Sequence, residues 1–246
     1  MRFIFLIIIT FLLTSQSKAQ IGFHGAYTTL DAAKWKEDIT RSYDLTLNGY
    51  KAGVNYWFRL KNKRIEFLPE LSFSNYTNEI ASIGFNHQML RFQLALPVLI
   101  YPFDFNGDCN CPTWSKQNKL FKKGLFFEFT PNVNSNNQSL KRTVSVTSEP
   151  SYDKINISSI GAGFRLGIGL DIGVSDLITL TPYYRYGFDF GNDYFKFVDV
   201  ANAIQNNTVF AESNLTKIKS EKETINEMGL RIGMRFDYHP KYHRRR

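Results

Sequence analysis

Apolar and polar residues alternate with a period of two along most of the chain after residue 20. From Tyr50, one face carries Tyr50, Ala52, Val54, Tyr56, Phe58 and Leu60, and the other Lys51, Gly53, Asn55, Trp57 and Arg59. Successive side chains of a β-strand point to opposite faces, so this pattern predicts a strand. The same alternation recurs from Ile65, Leu90, Leu125, Ile160, Ile178 and Met228, and a first strand near Ile21 to Thr28 brings the expected number to eight. In the clearest run, Ala162, Phe164, Leu166, Ile168, Leu170 and Ile172 alternate with Gly161, Gly163, Arg165, Gly167, Gly169 and Asp171. So many glycines would weaken a helix severely.

Several runs alternate for ten residues or more, whereas soluble strands average about five or six and a tilted strand needs about ten to cross a bilayer. The second face decides between two architectures. In a soluble sandwich or lipocalin-like barrel the polar face meets water; in a membrane barrel the apolar face meets lipid and the polar face lines the lumen. Here the polar faces combine glycines with charges of both signs, which suits a crowded interior, and Phe and Tyr gather at strand ends like an interfacial girdle. The expected fold is all-β, an eight-stranded antiparallel transmembrane up-and-down β-barrel with a filled polar lumen. Short links at Lys61 to Arg64 and Ser175-Asp176 then share one end. Longer links at Thr29 to Leu47, Thr77 to Asn86, Asn134 to Lys154 and Gly191 to Glu223 share the other, and Tyr101 to Lys123 is a long link on the short-turn side.

Parity also sorts the charges. Lys51, Arg59, Arg91, Arg165, Arg185, Arg231 and Arg235 fall inside, with Glu66, Glu70, Glu128, Asp171, Asp189, Glu227 and Asp237. Seven against seven predicts ion pairs that fill the lumen, since unpaired buried charges are costly and an eight-stranded barrel is just wide enough for side chains. The alternative reading of these carboxylates is an ion path, or, for Glu70, Asp189 and Glu227, a catalytic set assembled from distant strands. The histidines at 24, 87, 239 and 243 show no metal-binding or triad spacing. The chain is therefore expected not to be an enzyme.

Composition narrows the compartment. The 246 residues include 30 Lys+Arg against 22 Asp+Glu, and a mean hydropathy of −0.27 excludes a bundle of membrane-spanning helices. Residues 1–19 read as a cleaved signal peptide, with basic Arg2, an apolar run from Phe3 to Leu13 and a polar stretch ending Ser17-Lys18-Ala19. Residues 20–238 form the barrel, with 102–123 as a loop insert. Residues 239–246 form a basic tail that carries +4 of the charge through Lys241, Arg244, Arg245 and Arg246. The basic pI is thus largely a tail property, and no nucleic-acid partner is expected.

The loop insert carries the candidate chemistry. Asp104, Asn106 and Asp108 alternate around a glycine turn, as the first part of a calcium loop does, although the glutamate expected at the twelfth place is Ser115. The other reading is an Asx-rich turn without metal and no cofactor at all. Cys109 and Cys111, the only cysteines, are candidates for a local disulfide that stiffens the turn. Phe103, Phe105 and Trp114 are aromatics that a free loop has little reason to keep, and are expected to contact a partner or close the barrel mouth.

The signal segment, the glycine-alternating strand Ile160 to Val174 and the final strand Met228 to Tyr238 with its terminal aromatics resemble the small outer-membrane β-barrel proteins of the OmpA and OmpX type. They look most like the outer-membrane barrels of Bacteroidota, a group that includes the PorT-like proteins. The resemblance covers Ile21 to Tyr238; the eight residues after Tyr238 depart from barrels that end on the last aromatic. It implies the bacterial outer membrane, with both termini periplasmic and outer-membrane lipid as a partner. It also implies a non-enzymatic role through contacts with outer-membrane or periplasmic proteins, as an accessory subunit of an assembly or secretion complex or as a structural anchor. The alternative is surface recognition or adhesion by the outer loops, ahead of a narrow channel or an outer-membrane hydrolase.

Overall fold

Alternation along each strand becomes two surfaces when the strands close into a ring. The computed structural model describes residues 20–32, 46–60, 63–80, 85–104, 124–146, 149–175, 177–195, 217–219 and 222–235. The long strands are β1 (Gln20–Ala32), β2 (Leu47–Arg59), β4 (Glu70–Ile80), β5 (Phe85–Ala95), β7 (Leu125–Val146), β8 (Glu149–Leu170), β10 (Ile178–Phe190) and β13 (Glu223–Arg235). All are antiparallel to their neighbours, and β1 pairs with both β2 and β13, so the sheet closes into a ring of eight. Short segments β3 (Ile65–Phe67), β6 (Val98–Ile100) and β9 (Ile172–Gly173) extend β4, β5 and β8 at the end that carries the short turns. Pro69 and Pro97 interrupt the ladder there without shifting it, since Asn55 pairs with Glu70 and Phe58 with Phe67 in one register. The eight-stranded antiparallel ring is the architecture expected from the alternation.

The register fixes the shape. Following paired residues around the ring gives Gly22, Asn55, Glu70, Ala95, Asn132, Gly163, Asp189, Glu223 and then Ala32, a return to β1 ten residues from the start. Eight strands with that stagger tilt by about 40° and leave an interior that side chains can fill. A strand of 13 residues then rises roughly 30 Å, close to the hydrocarbon thickness of a bilayer.

The outward face is an apolar band. Phe23, Phe73, Phe92, Phe127, Leu166, Ile168 and Leu230 are all exposed, between 44% and 60% in relative area. On five strands the band ends toward the loop end in an apolar-to-polar step. On β2 it changes from Tyr50 to Asn48, on β4 from Phe73 to Asn75, on β5 from Leu90 to Gln88, on β7 from Val133 to Ser135 and on β13 from Met228 to Asn226. Tyrosines at this boundary bond upward to polar neighbours, Tyr27 to Asn48 (3.1 Å) and Tyr184 to Asn226 (2.9 Å). A ring of lipid-facing apolar residues with an aromatic rim is the exterior of a transmembrane barrel. No helix among the described residues is long and apolar enough to cross a membrane, which has no bearing on crossing by strands.

Two links expected on the sequence are instead strand. β4 and β5 continue to Ile80 and Phe85, and β7 and β8 continue as a paired ribbon to Val146 and Glu149. Beyond the membrane both outer and inner surroundings are polar, so the alternation that marks a strand inside the band is lost, as in Asn134, Ser135, Asn136 and Asn137. The short turns behave as expected: Leu60 N–H bonds Ile65 O (3.1 Å), and Ser175 Oγ accepts the amides of Leu177 and Ile178.

Candidate functional site

Every barrel strand sends a polar group to the middle of the lumen. Arg185 on β10 lies at the hub, with Nε 2.6 Å from Glu128 Oε1, Nη2 3.1 Å from Glu70 Oε2 and Nη1 3.0 Å from Glu227 Oε1. Lys51 joins Glu70 (2.7 Å) and Glu227 (3.1 Å), and Arg165 reaches Glu227 (3.2 Å) and Gln93 (2.9 Å). His24 lies 3.2 Å from Glu70 and completes the set, so β1, β2, β4, β5, β7, β8, β10 and β13 all take part. Burying these charges is expensive, and only multiple short contacts to opposite charge repay it. Glycine supplies the room: a Cβ on Gly187 would lie 2.2 Å from Phe164 O and 2.7 Å from Arg165 Cγ.

Charge parity thus placed Lys51, Arg91, Arg165, Arg185, Arg231, Glu66, Glu70, Glu128, Asp171, Asp189 and Glu227 correctly, all being buried in the lumen. The side chains of Arg59 and Arg235, and residue Asp237, lie outside the described ones. Glu223 was assigned to a loop and is a lumen residue. Counting the alternation two steps back from Glu227 through Ile225 would have found it.

The short-turn end is closed by an apolar cluster of Leu68, Leu99, Tyr101 and Phe126, with Trp57 packed against it. The Tyr101 ring lies 5.6 Å from that of Phe126, and its hydroxyl is 2.8 Å from Glu66 Oε2 and 2.6 Å from Asp171 Oδ2. Trp57 donates its indole N–H to Glu66 at 2.7 Å. Beside this cluster, Trp57, Tyr101, Asp171 and Arg231 line a cleft of about 40 Å³, room for one or two water molecules. A Cβ on Gly169 would lie 2.3 Å from Phe126 Cζ. Gly169→Leu is therefore expected to destabilise the barrel by about 1–3 kcal/mol in a urea titration followed by gel mobility. Phe126→Ala should relieve most of that loss in the double variant.

The loop insert starts at this mouth. Arg64 stacks over the Tyr101 ring at 4.0 Å, lies 3.6 Å from Glu66 and pairs with Asp104. Of the candidate calcium ligands only Asp104 is described, and its carboxylate is engaged by this guanidinium; Asn106 and Asp108 lie outside the described residues, as do Cys109, Cys111, Phe105 and Trp114. Among the described residues no group of three or more acidic, histidine or cysteine side chains could hold a metal ion. Phe103 is 59% exposed.

At the loop end, Arg91 joins Asp189 (2.7 Å), Glu223 (2.8 Å) and Asn136 (2.7 Å). An amide ladder on β7 runs Asn136 to Asn134 (3.0 Å) to Asn132 (3.4 Å) and on to Asp189 (3.2 Å). Above it sits Tyr194 of the short strand β11 (Asp193–Phe195), which is 1% exposed and donates to Glu223 Oε1 at 2.7 Å. Burial and the adjacent Glu223 carboxylate push the Tyr194 hydroxyl well above the ordinary phenol range, so it stays a donor. Parity could not have found this residue, because it comes from a loop and enters the lumen from above.

The sequence matches no protein-family model and no curated protein. Solved structures similar to it include Neisserial surface protein A, at 13% identity over 89% of this chain and 98% of that one with a TM-score of 0.40. They also include Ail, the attachment invasion locus protein of Yersinia pestis, at 9% identity over 89% and 99% with a TM-score of 0.41. A third is the outer membrane protein OprG from Pseudomonas aeruginosa, at 10% identity over 90% and 98% with a TM-score of 0.33.

Proposed function

We propose that this chain is an outer-membrane barrel that acts through protein contacts, and that its working surface is the β7–β8 ribbon at the loop end. The ribbon is the observation that carries the reading. Both strands have 22 residues and stay paired to their tip, so they rise roughly 25 Å beyond the apolar band. On the other side of β8 the partner β10 stops at Phe190, opposite Ala162, and no strand pairs with residues 149–161 there among the described residues. An unpaired strand edge held clear of the membrane offers backbone donors and acceptors to a partner's extended segment. The lumen, bridged by charge from all eight strands, favours a scaffold over a pore. Short turns at one end and long loops at the other support periplasmic termini, with the ribbon outside.

Replacing residues 137–158 by Asn-Gly, a two-residue hairpin turn between the paired Asn136 and Ser159, should leave insertion and heat-modifiable gel mobility unchanged and abolish binding of intact cells to their external partner. Unchanged binding moves the working surface elsewhere.

A second reading places the partner in the periplasm, as for an accessory subunit of an assembly or secretion complex. Exposed Phe103 supports it, together with the insert that follows and the basic tail. Deleting residues 105–115 should then remove co-purifying proteins from gently solubilised membranes while the barrel stays intact; calcium bound through Asp104, Asn106 and Asp108, or a Cys109–Cys111 disulfide, would order that loop. Kinship with the Bacteroidota barrels is supported by the sequence resemblance.

A further inference from the structure

The outward face of the β7–β8 ribbon carries charge of one sign. Lys141 and Lys154 are both exposed on that face and stand directly opposite each other in the ladder. Like charges at paired positions repel, and an acid across from a lysine would be the stabilising choice. None is at hand. Across its other border Lys141 meets Asn86, and the outward pairs below, Ser139 with Asn156 and Asn137 with Ser158, are neutral. Neither lysine makes an ion pair or a hydrogen bond among the described residues. The row reaches an acid only at Glu79 on β4, beyond Asn86 and roughly 10 Å from Lys141.

Lys154 also lies on the strand with the open border. β10 ends beside Ala162, where Gly191 (φ +83°), in a left-handed turn that suits glycine, sends the chain inward. Asn192 then accepts from Asn136 Nδ2 inside the mouth, and β11 pairs with β12 (Lys217–Lys219) in a sheet of its own. Asp193, the acid that this turn brings against β8, stands across from Lys219. Among the described residues, the border of β8 from Lys154 to Ser159 therefore keeps backbone N–H and C=O groups without a paired strand. Ile155 and Ile157 on the inward face are already buried. Side-chain selectivity at this border thus rests with the outward row.

We propose that this border takes up an extended acidic segment of a partner protein as an added strand, with a carboxylate across from Lys154 and within reach of Lys141. The proposal rests on the ribbon being the working surface and names what that surface recognises. A sulfated polysaccharide could answer the two lysines but not the amides and carbonyls, whereas a second backbone answers both. An edge lysine also deters a sheet from pairing with its own copies. That guard accounts for Lys154 alone. Lys141 stands one strand in from the border, where no guard is needed, and adds to the same positive row.

The test is the anisotropy of a labelled peptide of alternating Val and Glu, titrated with the full chain in phospholipid nanodiscs. It should bind, more weakly as salt rises, while the Val-Lys counterpart should not. Lys141→Glu combined with Lys154→Glu should lower its affinity about tenfold and let the Val-Lys peptide bind instead, because each site exchanges an attractive pair for a repulsive one. Both sites are exposed above the band, so heat-modifiable mobility should show normal insertion. Lys141→Gln with Lys154→Gln, which removes the charge without reversing it, should give a smaller loss. Methylating the backbone nitrogens of the Val-Glu peptide should abolish binding by removing its strand donors. If the methylated peptide binds as well as its parent, the row reads charge alone, as for a sulfated polysaccharide, and the proposal is wrong. It is also wrong if the Val-Glu peptide ignores the wild type while the shortened ribbon still abolishes binding of cells to their partner, a result that leaves the ribbon as the working surface. Peptide binding together with unchanged cell binding by the shortened ribbon would keep this site and remove that reading.

Discussion

Arg185→Ala lowers the stability of the inserted barrel by about 3–5 kcal/mol, the cost of leaving buried charge without its partner. The side chain is wholly buried and faces Glu70, Glu128 and Glu227 at 2.6–3.1 Å, so its removal leaves three carboxylates to Lys51, Arg165 and Arg231. Arg231 compensates poorly, at 3.4 Å from Glu128. Arg185→Lys keeps the charge but not the fork that meets three partners at once, and is expected to lose less than alanine does. Urea titration in lipid vesicles, read by the mobility difference between folded and unfolded barrel, measures both. A wild-type midpoint for Arg185→Ala would mean that water fills the lumen and solvates these carboxylates.

Ile168→Arg should cost about 2–4 kcal/mol, because it places a charge on lipid near the middle of the band. Ile168 is 44% exposed on the outward face and pairs with Phe127 and Tyr184. Along β8 it lies about midway between Ile160, the last apolar outward residue toward the loop end, and Ser175 at the short turn. Ser158→Arg has the same outward parity on the same strand but lies above the band, and should be neutral. The pair separates an effect of lipid from an effect of strand propensity. If both variants insert equally well and the protein fractionates with soluble material, the apolar exterior is not a membrane face.

The sequence was legible where the two faces of a strand meet different media. Between Ile160 and Ile172 one face meets lipid and the other the lumen, and both the strand and its inward residues could be read directly. Above the band that contrast disappears, so β7 and β8 beyond Asn134 looked like a loop. Charge parity identified which residues share the lumen but not which ones meet, because pairing depends on register: Arg185 contacts Glu70 across 115 residues of sequence. Pro69 and Pro97 would ordinarily argue against continuous strands, yet both occur where the ladder is merely interrupted. Tyr194 belongs to no alternating pattern at all. Asp104 was singled out for its spacing to Asn106 and Asp108, whereas its described contact is the guanidinium of Arg64.

The distribution of lumen charge over all eight strands has a consequence for how the barrel comes into being. The seam between the first and last strands carries His24 on one side and Glu227 and Arg231 on the other, and Glu227 holds Lys51, Arg165 and Arg185 together. A half-built sheet therefore presents unneutralised charge at its open border, where lipid cannot solvate it. Such a sheet gains little from each added strand until the ends meet, and then gains the whole network in one step. Maturation of this chain is accordingly expected to be abrupt: nascent sheet is retained by whatever machinery shields it, and release coincides with closure. Substitutions at the hub should accumulate unreleased precursor well before they lower the amount of finished barrel.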